Sequence, residues 1–167
     1  GIGFKAVRMN KSLISSCEIY HCGGGGIKIE GSHNIIRSCK VHDIGLVYPS
    51  GIGVWTHEGK ENLIESNEIY NTSYTAIVCR NDRNKIYNNY MHHVMQVLHD
   101  GGGIFITLCD GVHIRGNLIS DVADTGGYGS SAYYLDEMTT GCVGEENVSL
   151  NTAWASHNHF ANNNNIH

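Results

Sequence analysis

The side chains able to move protons gather toward the C-terminal half of the sequence: Asp100, Asp136, Glu137, His157 and His159, with Arg80 upstream and Thr107 between the two aspartates. Imidazoles titrate near neutral pH and carboxylic acids serve there when their surroundings tune them, and two carboxylic groups in one site can divide the roles of acid and base. Tyr134 and Trp55 add aromatic faces on which a polar ring can rest. Such a set would suit acid–base chemistry on a ring-bearing substrate. Its members are far apart in the chain, so the elements that carry them decide whether they meet.

Composition narrows those elements. A chain of 167 residues is one domain's worth, and 41% hydrophobic content is enough for a continuous core. Only 16% of residues are charged, Gly numbers 21, and the single proline is Pro49. That balance suits many short strands joined by turns. The net charge of -5, with eleven Lys and Arg scattered and never in a run of four, gives no footprint for nucleic acid. No apolar run approaches the roughly 20 residues needed to span a bilayer, so no membrane partner is expected. The N-terminal stretch GIGFKAVRMN lacks the charged and apolar regions of a signal peptide. The six cysteines show no CxxC spacing and read mostly as buried thiols.

One phrase recurs: LISSCEIYH (13–21), IIRSCKVHD (35–43), LIESNEIYN (63–71), KIYNNYMHH (85–93) and HIRGNLISD (113–121). Its fourth-from-apolar position is held by Cys17, Cys39, Asn67, Asn89 and Asn117, spaced 22, 28, 22 and 28 apart, with Asn147 a further 30 on. A period in the low twenties is one turn of a solenoid. The Asn residues read as architecture, each hydrogen-bonding the coils above and below and tolerating left-handed backbone. Cys17 and Cys39 share that column as small fillers, without a predicted bridge.

Between copies lies a second phrase of period two: GIKIE (26–30), GIGVW (51–55), AIVCR (76–80), GIFIT (103–107) and AYYLD (132–136). Alternation of this kind marks a strand with one face on a core. Ile27, Ile52, Ile77, Ile104 and Tyr133 are expected inside, with Ile29, Val54, Cys79, Ile106 and Leu135 two residues on. Two outward columns follow: Lys28, Gly53, Val78, Phe105 and Tyr134, then Glu30, Trp55, Arg80, Thr107 and Asp136. Continuing the register, ASHNH (155–159) sets His157 above Tyr134 and His159 above Asp136. The fold class is therefore all-β, a right-handed parallel β-helix of about six coils filling 1–167 as one domain. Because the chain opens and closes inside the repeat, it is expected to be a stretch of a longer rod, incomplete at both ends and prone to end-to-end association.

Extra residues enter the repeat at one corner. The longest insertions, MHHVMQVLHDGG and ISDVADTGGYGSS, belong to neighbouring coils and flank the strands bearing Thr107 and Asp136. Long loops on a rigid scaffold are where function usually sits. The outward cluster of Arg80, Thr107, Asp136, Glu137, His157 and His159, with Tyr134 and Trp55 to stack on sugar rings, reads as a carbohydrate site.

The strings HDGGGIFITLCDGVHIRGNLISDV (99–122), YGSSAYYLDEMTTGCVGEENVSLNT (128–152) and WASHNHFANNNNI (154–166) resemble segments of secreted bacterial right-handed β-helix proteins of the pectate-lyase-like superfamily. Among these the chain looks most like β-helical glycoside hydrolases such as family 141, whose known members act on fucosides and xylans. The resemblance implies catalytic carboxylates at Asp100 and Asp136, with Glu137, His157 and His159 as neighbours. It also implies a polysaccharide or oligosaccharide partner and an extracellular or periplasmic setting. Ser156 and Asn158 depart from the pattern by filling inward slots with polar side chains. Two other activities stay open: a polysaccharide lyase, for which Arg80, His157 and His159 would serve, and a non-catalytic carbohydrate-binding rod. No metal site or cofactor is expected. Ca²⁺, which a lyase would use against a uronate, has no DxDxDG-type loop in this sequence.

Overall fold

Runs of two to seven residues, most with alternating apolar positions and each cut short by a turn, form strands and nothing longer. The computed structural model describes residues 1–167 and contains twenty such strands and no helix. Every third strand stacks on the one a coil earlier, in parallel, so three sheets wind into a solenoid. The first sheet has seven strands: Phe4–Ala6, Ile27–Glu30, Val54–Lys60, Ile77–Asp82, Gly101–Ile106, Ser130–Leu135 and Trp154–Asn158. The second also has seven, from Leu13–Ser15 to Asn165–Ile166, and the third has six, from Glu18–Cys22 to Val148–Thr152. This is the all-β parallel solenoid of about six coils that the repeat predicts.

The inward residues form one cluster of 28 buried side chains. Register makes it a set of rows: Ile14, Ile36, Ile64, Ile86 and Ile114 stack through the second sheet, and Val41, Ile69, Met91 and Ile119 through the third. In the last coils the apolar rows give way to Gly144, Ser149 and, in the first sheet, Ser156, with Ile166 alone stacked beyond Gly144. Ser156 and Asn158 therefore sit where the apolar stack stops. All six cysteines are free thiols, and Cys39, Cys79, Cys109 and Cys142 are buried.

The Asn ladder is present as expected. The Asn67 Nδ2 donates to Asn89 Oδ1 at 2.9 Å, Asn89 to Asn117 at 3.0 Å and Asn117 to Asn147 at 3.0 Å. Each also donates to a carbonyl of the second sheet, at Ile36, Ile64 and Ile86. One detail differs. The left-handed residue at this corner is the one before the ladder position: Ser16, Ser38, Ser66, Asn88, Gly116 and Glu146 all have positive φ. The ladder side chain needs the inward slot, so its predecessor takes the turn.

A second ladder, unread in the sequence, runs down the opposite end of the second sheet. Asn34 Nδ2 donates to Asn62 Oδ1 at 3.0 Å, and Asn84 Oδ1 accepts the Asn62 backbone N–H at 2.7 Å. On the outer face of the third sheet Tyr20, His42, Tyr70 and His92 stack ring on ring, with centroids 5.3, 4.6 and 4.8 Å apart.

The register of the third coil corrects the sequence reading by two residues. Val54, not Ile52, pairs with Ile27 and Ile77, and Ile52 lies half-buried in the corner ahead of the strand. Trp55 consequently stands with Lys28 and Val78 in the first outward column, and His57 takes its place beside Glu30 and Arg80. A slip of two preserves the side to which each residue points, so alternation alone does not reveal it. The inward slot after Val54 is filled by Thr56, whose buried hydroxyl is reached by Asn84 Nδ2 at 3.5 Å.

Candidate functional site

The two long corner loops rise beside the first sheet and touch each other. The Asp100 N–H donates to the Gly129 carbonyl at 2.8 Å, and Gly127, at φ 67°, passes against the His99 ring. A Cβ on Gly127 would fall 2.4 Å from that ring. The loops form one wall of a groove of about 780 Å³, and the last two strands of the first sheet form its floor.

Six of the nine site residues expected from the sequence meet there. Asp100, Tyr134, Asp136, Glu137, His157 and His159 all line the groove. Strand register delivers four of them, since Tyr134 pairs with His157 and the His159 N–H donates to the Leu135 carbonyl beside Asp136. The side chains follow: His159 Nδ1 lies 2.8 Å from Asp136 Oδ1. Asp100 arrives from the loop, and its Oδ1 accepts the Tyr134 hydroxyl at 3.2 Å.

Tyr134 itself is not an open platform. It is 4% exposed, its ring stacked on His157 at 4.4 Å and met edge-on by Phe105 at 5.0 Å. Burial pushes its phenol well above the ordinary tyrosine range, and the neighbouring Asp100 and Asp136 push the same way. Its O–H thus stays a donor at any working pH.

The remaining three stand elsewhere. Thr107 is buried beneath the groove, its hydroxyl donating to the Glu137 carbonyl at 3.3 Å. Arg80 is exposed but outside the groove lining. Trp55 lies coils away with Lys28 Nζ 4.0 Å over its ring.

Three side chains of the groove lining went unread, Asp124, Tyr128 and Trp154, and so did Tyr74, which stands behind Asp100 outside that lining. Trp154 opens the last strand of the first sheet opposite Ser131, is 47% exposed and presents its indole edge-on to His157. Tyr128 is 75% exposed at the tip of the GGYG turn. Trp154 lies three residues before His157, an odd step that alternation assigns to the inward face, so counting along the strand does not find it. No periodic signal reaches the loop residues.

The groove therefore joins four carboxylates and two imidazoles with two accessible aromatic rings, and its lining holds no Lys or Arg. No three His, Cys, Asp or Glu side chains are arranged to hold a metal ion. Proton transfer on an uncharged or polar ring substrate is the chemistry this lining supports.

The chain belongs to the right-handed β-helix region family, whose match runs over residues 1–166. A solved structure named glycoside hydrolase superposes on it with a TM-score of 0.77 at 14% sequence identity, covering 96% of this chain and 34% of that one. This likeness shows the fold, and this chain spans about a third of that protein's length. The resemblance to β-helical glycoside hydrolases drawn from the sequence holds in architecture. No curated protein sequence matches the chain.

Proposed function

We propose that this β-helix binds a polysaccharide or oligosaccharide in the groove and hydrolyses a glycosidic bond there, with Asp100 and Asp136 as the catalytic carboxylates. The observation that carries this reading is their convergence, from a loop and from a strand end, on one loop-walled groove. Glycoside hydrolysis needs two such groups on either side of the scissile bond. The proton shared by Asp136 and His159 goes to the leaving oxygen as the bond to the anomeric carbon breaks. The Asp100 carboxylate faces the positive charge that builds on that carbon. Water supplies the hydroxyl to the carbon, and its remaining proton restores the Asp136–His159 pair. Trp154 and Tyr128 offer the faces on which sugar rings stack, while Glu137 and His157 stand within the same lining to hydrogen-bond hydroxyls. Trp55 and Arg80 come into play only for a glycan long enough to run along the rod.

A lyase would require a cation against the uronate carboxylate, and a groove lined by four carboxylates without Lys or Arg disfavours it. An extracellular or periplasmic setting is the one in which such a polymer would meet the groove without crossing a membrane. The test is a screen of the purified protein against neutral and uronic polysaccharides, reading reducing ends and the ultraviolet absorbance of unsaturated products together. Reducing ends without that absorbance are expected. Both signals would make it a lyase, and neither would leave a binding module.

A further inference from the structure

Asp100 is held more tightly than its place in a long loop requires. Its φ of 61° is left-handed, a conformation that side chains disfavour although Asp tolerates it better than most. The repeated corners of the coil use left-handed residues in fixed columns, such as Ser66 and Asn88 or Asn71 and His93. Asp100 belongs to none of these columns; its register neighbour in the next coil, Gly129, is also left-handed at φ 82° but carries no side chain. Asp100 is fixed at three points instead: its N–H donates to Gly129 O at 2.8 Å, its carbonyl accepts the Tyr74 hydroxyl at 2.7 Å, and its Oδ1 accepts the Tyr134 hydroxyl at 3.2 Å. The two phenols come from different coils, Tyr74 from the corner ahead of Ile77–Asp82 and Tyr134 from Ser130–Leu135.

We propose that Tyr74 and Tyr134 form a clamp that positions Asp100, the first gripping its backbone and the second its carboxylate, so that the carboxylate meets substrate in one orientation. The inference rests on the hydrolytic reading of the groove. Both tyrosines are positioning residues, since each acts through Asp100. Burial raises both phenols, Tyr74 and Tyr134, and the Asp100 carboxylate adds to the effect, so both remain donors. Holding a charged group in a reactive geometry acts on turnover more than on substrate affinity.

The experiment compares Tyr134→Phe and Tyr74→Phe with the parent chain. Tyr134→Phe keeps the ring on His157 and removes only the hydroxyl. Its kcat should fall about tenfold or more while KM stays within about twofold. In an Asp100→Asn background the same substitution should cause no further fall, because the clamp then has nothing to orient. Tyr74→Phe should lower kcat and also speed backbone amide exchange across residues 96–101. Full kcat in Tyr134→Phe, or losses that multiply with Asp100→Asn, would overturn the clamp. If the parent chain cleaves no glycan, the hydrolytic reading fails by itself. Amide exchange then decides the clamp: faster exchange in Tyr74→Phe supports it, and unchanged protection overturns it.

Discussion

Asp136 and His159 stand one coil apart with 2.8 Å between Oδ1 and Nδ1, and neither is part of the core. Asp136→Asn should therefore cut turnover at least about a hundredfold while the melting temperature stays near that of the parent, a split that parallel kinetic and thermal measurements will show. A large loss of stability would mean the carboxylate is structural. At this scale the sequence was most informative where a residue sits on a strand or directly follows one. Asp136, His157 and His159 follow from counting, because strand stacking turns a register position into a place in space. Asp100 carries no such address, and only its likeness to a family motif suggested it. Tyr74, Asp124 and Tyr128 were invisible for the same reason: a loop has no period, and its path depends on contacts such as that of Gly127 with His99.

Strands and ladders set what the site rests upon. Ile77 and Ile104 are fully buried and paired in the first sheet, so either changed to Ala should cost about 2–5 kcal/mol in denaturant unfolding. A cost under about 0.5 kcal/mol would contradict the inward assignment. Asn89 bridges three coils, accepting from Asn67 and donating to Asn117 and the Ile64 carbonyl. Asn89→Leu leaves the buried amide of Asn67 short of an acceptor, and a loss of about 1–3 kcal/mol is expected by the same measurement. The ladder was legible because its residue type repeats at a fixed place in a repeated phrase. The companion ladder of Asn34, Asn62 and Asn84 has comparable spacing but precedes a strand whose first residue varies from Ile to Leu to Lys, so no phrase drew attention to it. The two-residue slip at Ile52 has a related origin. GIGVW imitates GIKIE in its alternation, and only the packing of Val54 against Ile27 and Ile77 separates the true strand from its imitation.

At the largest scale the 167 residues form a rod, and the first and last strands of each sheet have one unpaired edge. In the last coil Val148, Leu150 and Trp154 are about half exposed on edge strands. Unpaired strand edges with apolar side chains seek partners, so this 167-residue chain is expected to associate end to end. Sedimentation velocity should show an apparent mass that rises with concentration, and a fixed monomer would refute it. The corner ahead of the first sheet has a different consequence. Each coil there inserts as much or as little chain as it likes, from the single residue before Trp154 to the long turn before Val54, while the three sheets below keep their parallel stacking. Insertions and deletions at that corner are therefore close to neutral for folding but not for what the groove admits. A lineage built on this scaffold can sample new substrates by lengthening one coil at a time, and an engineer can do the same by transplanting a single corner.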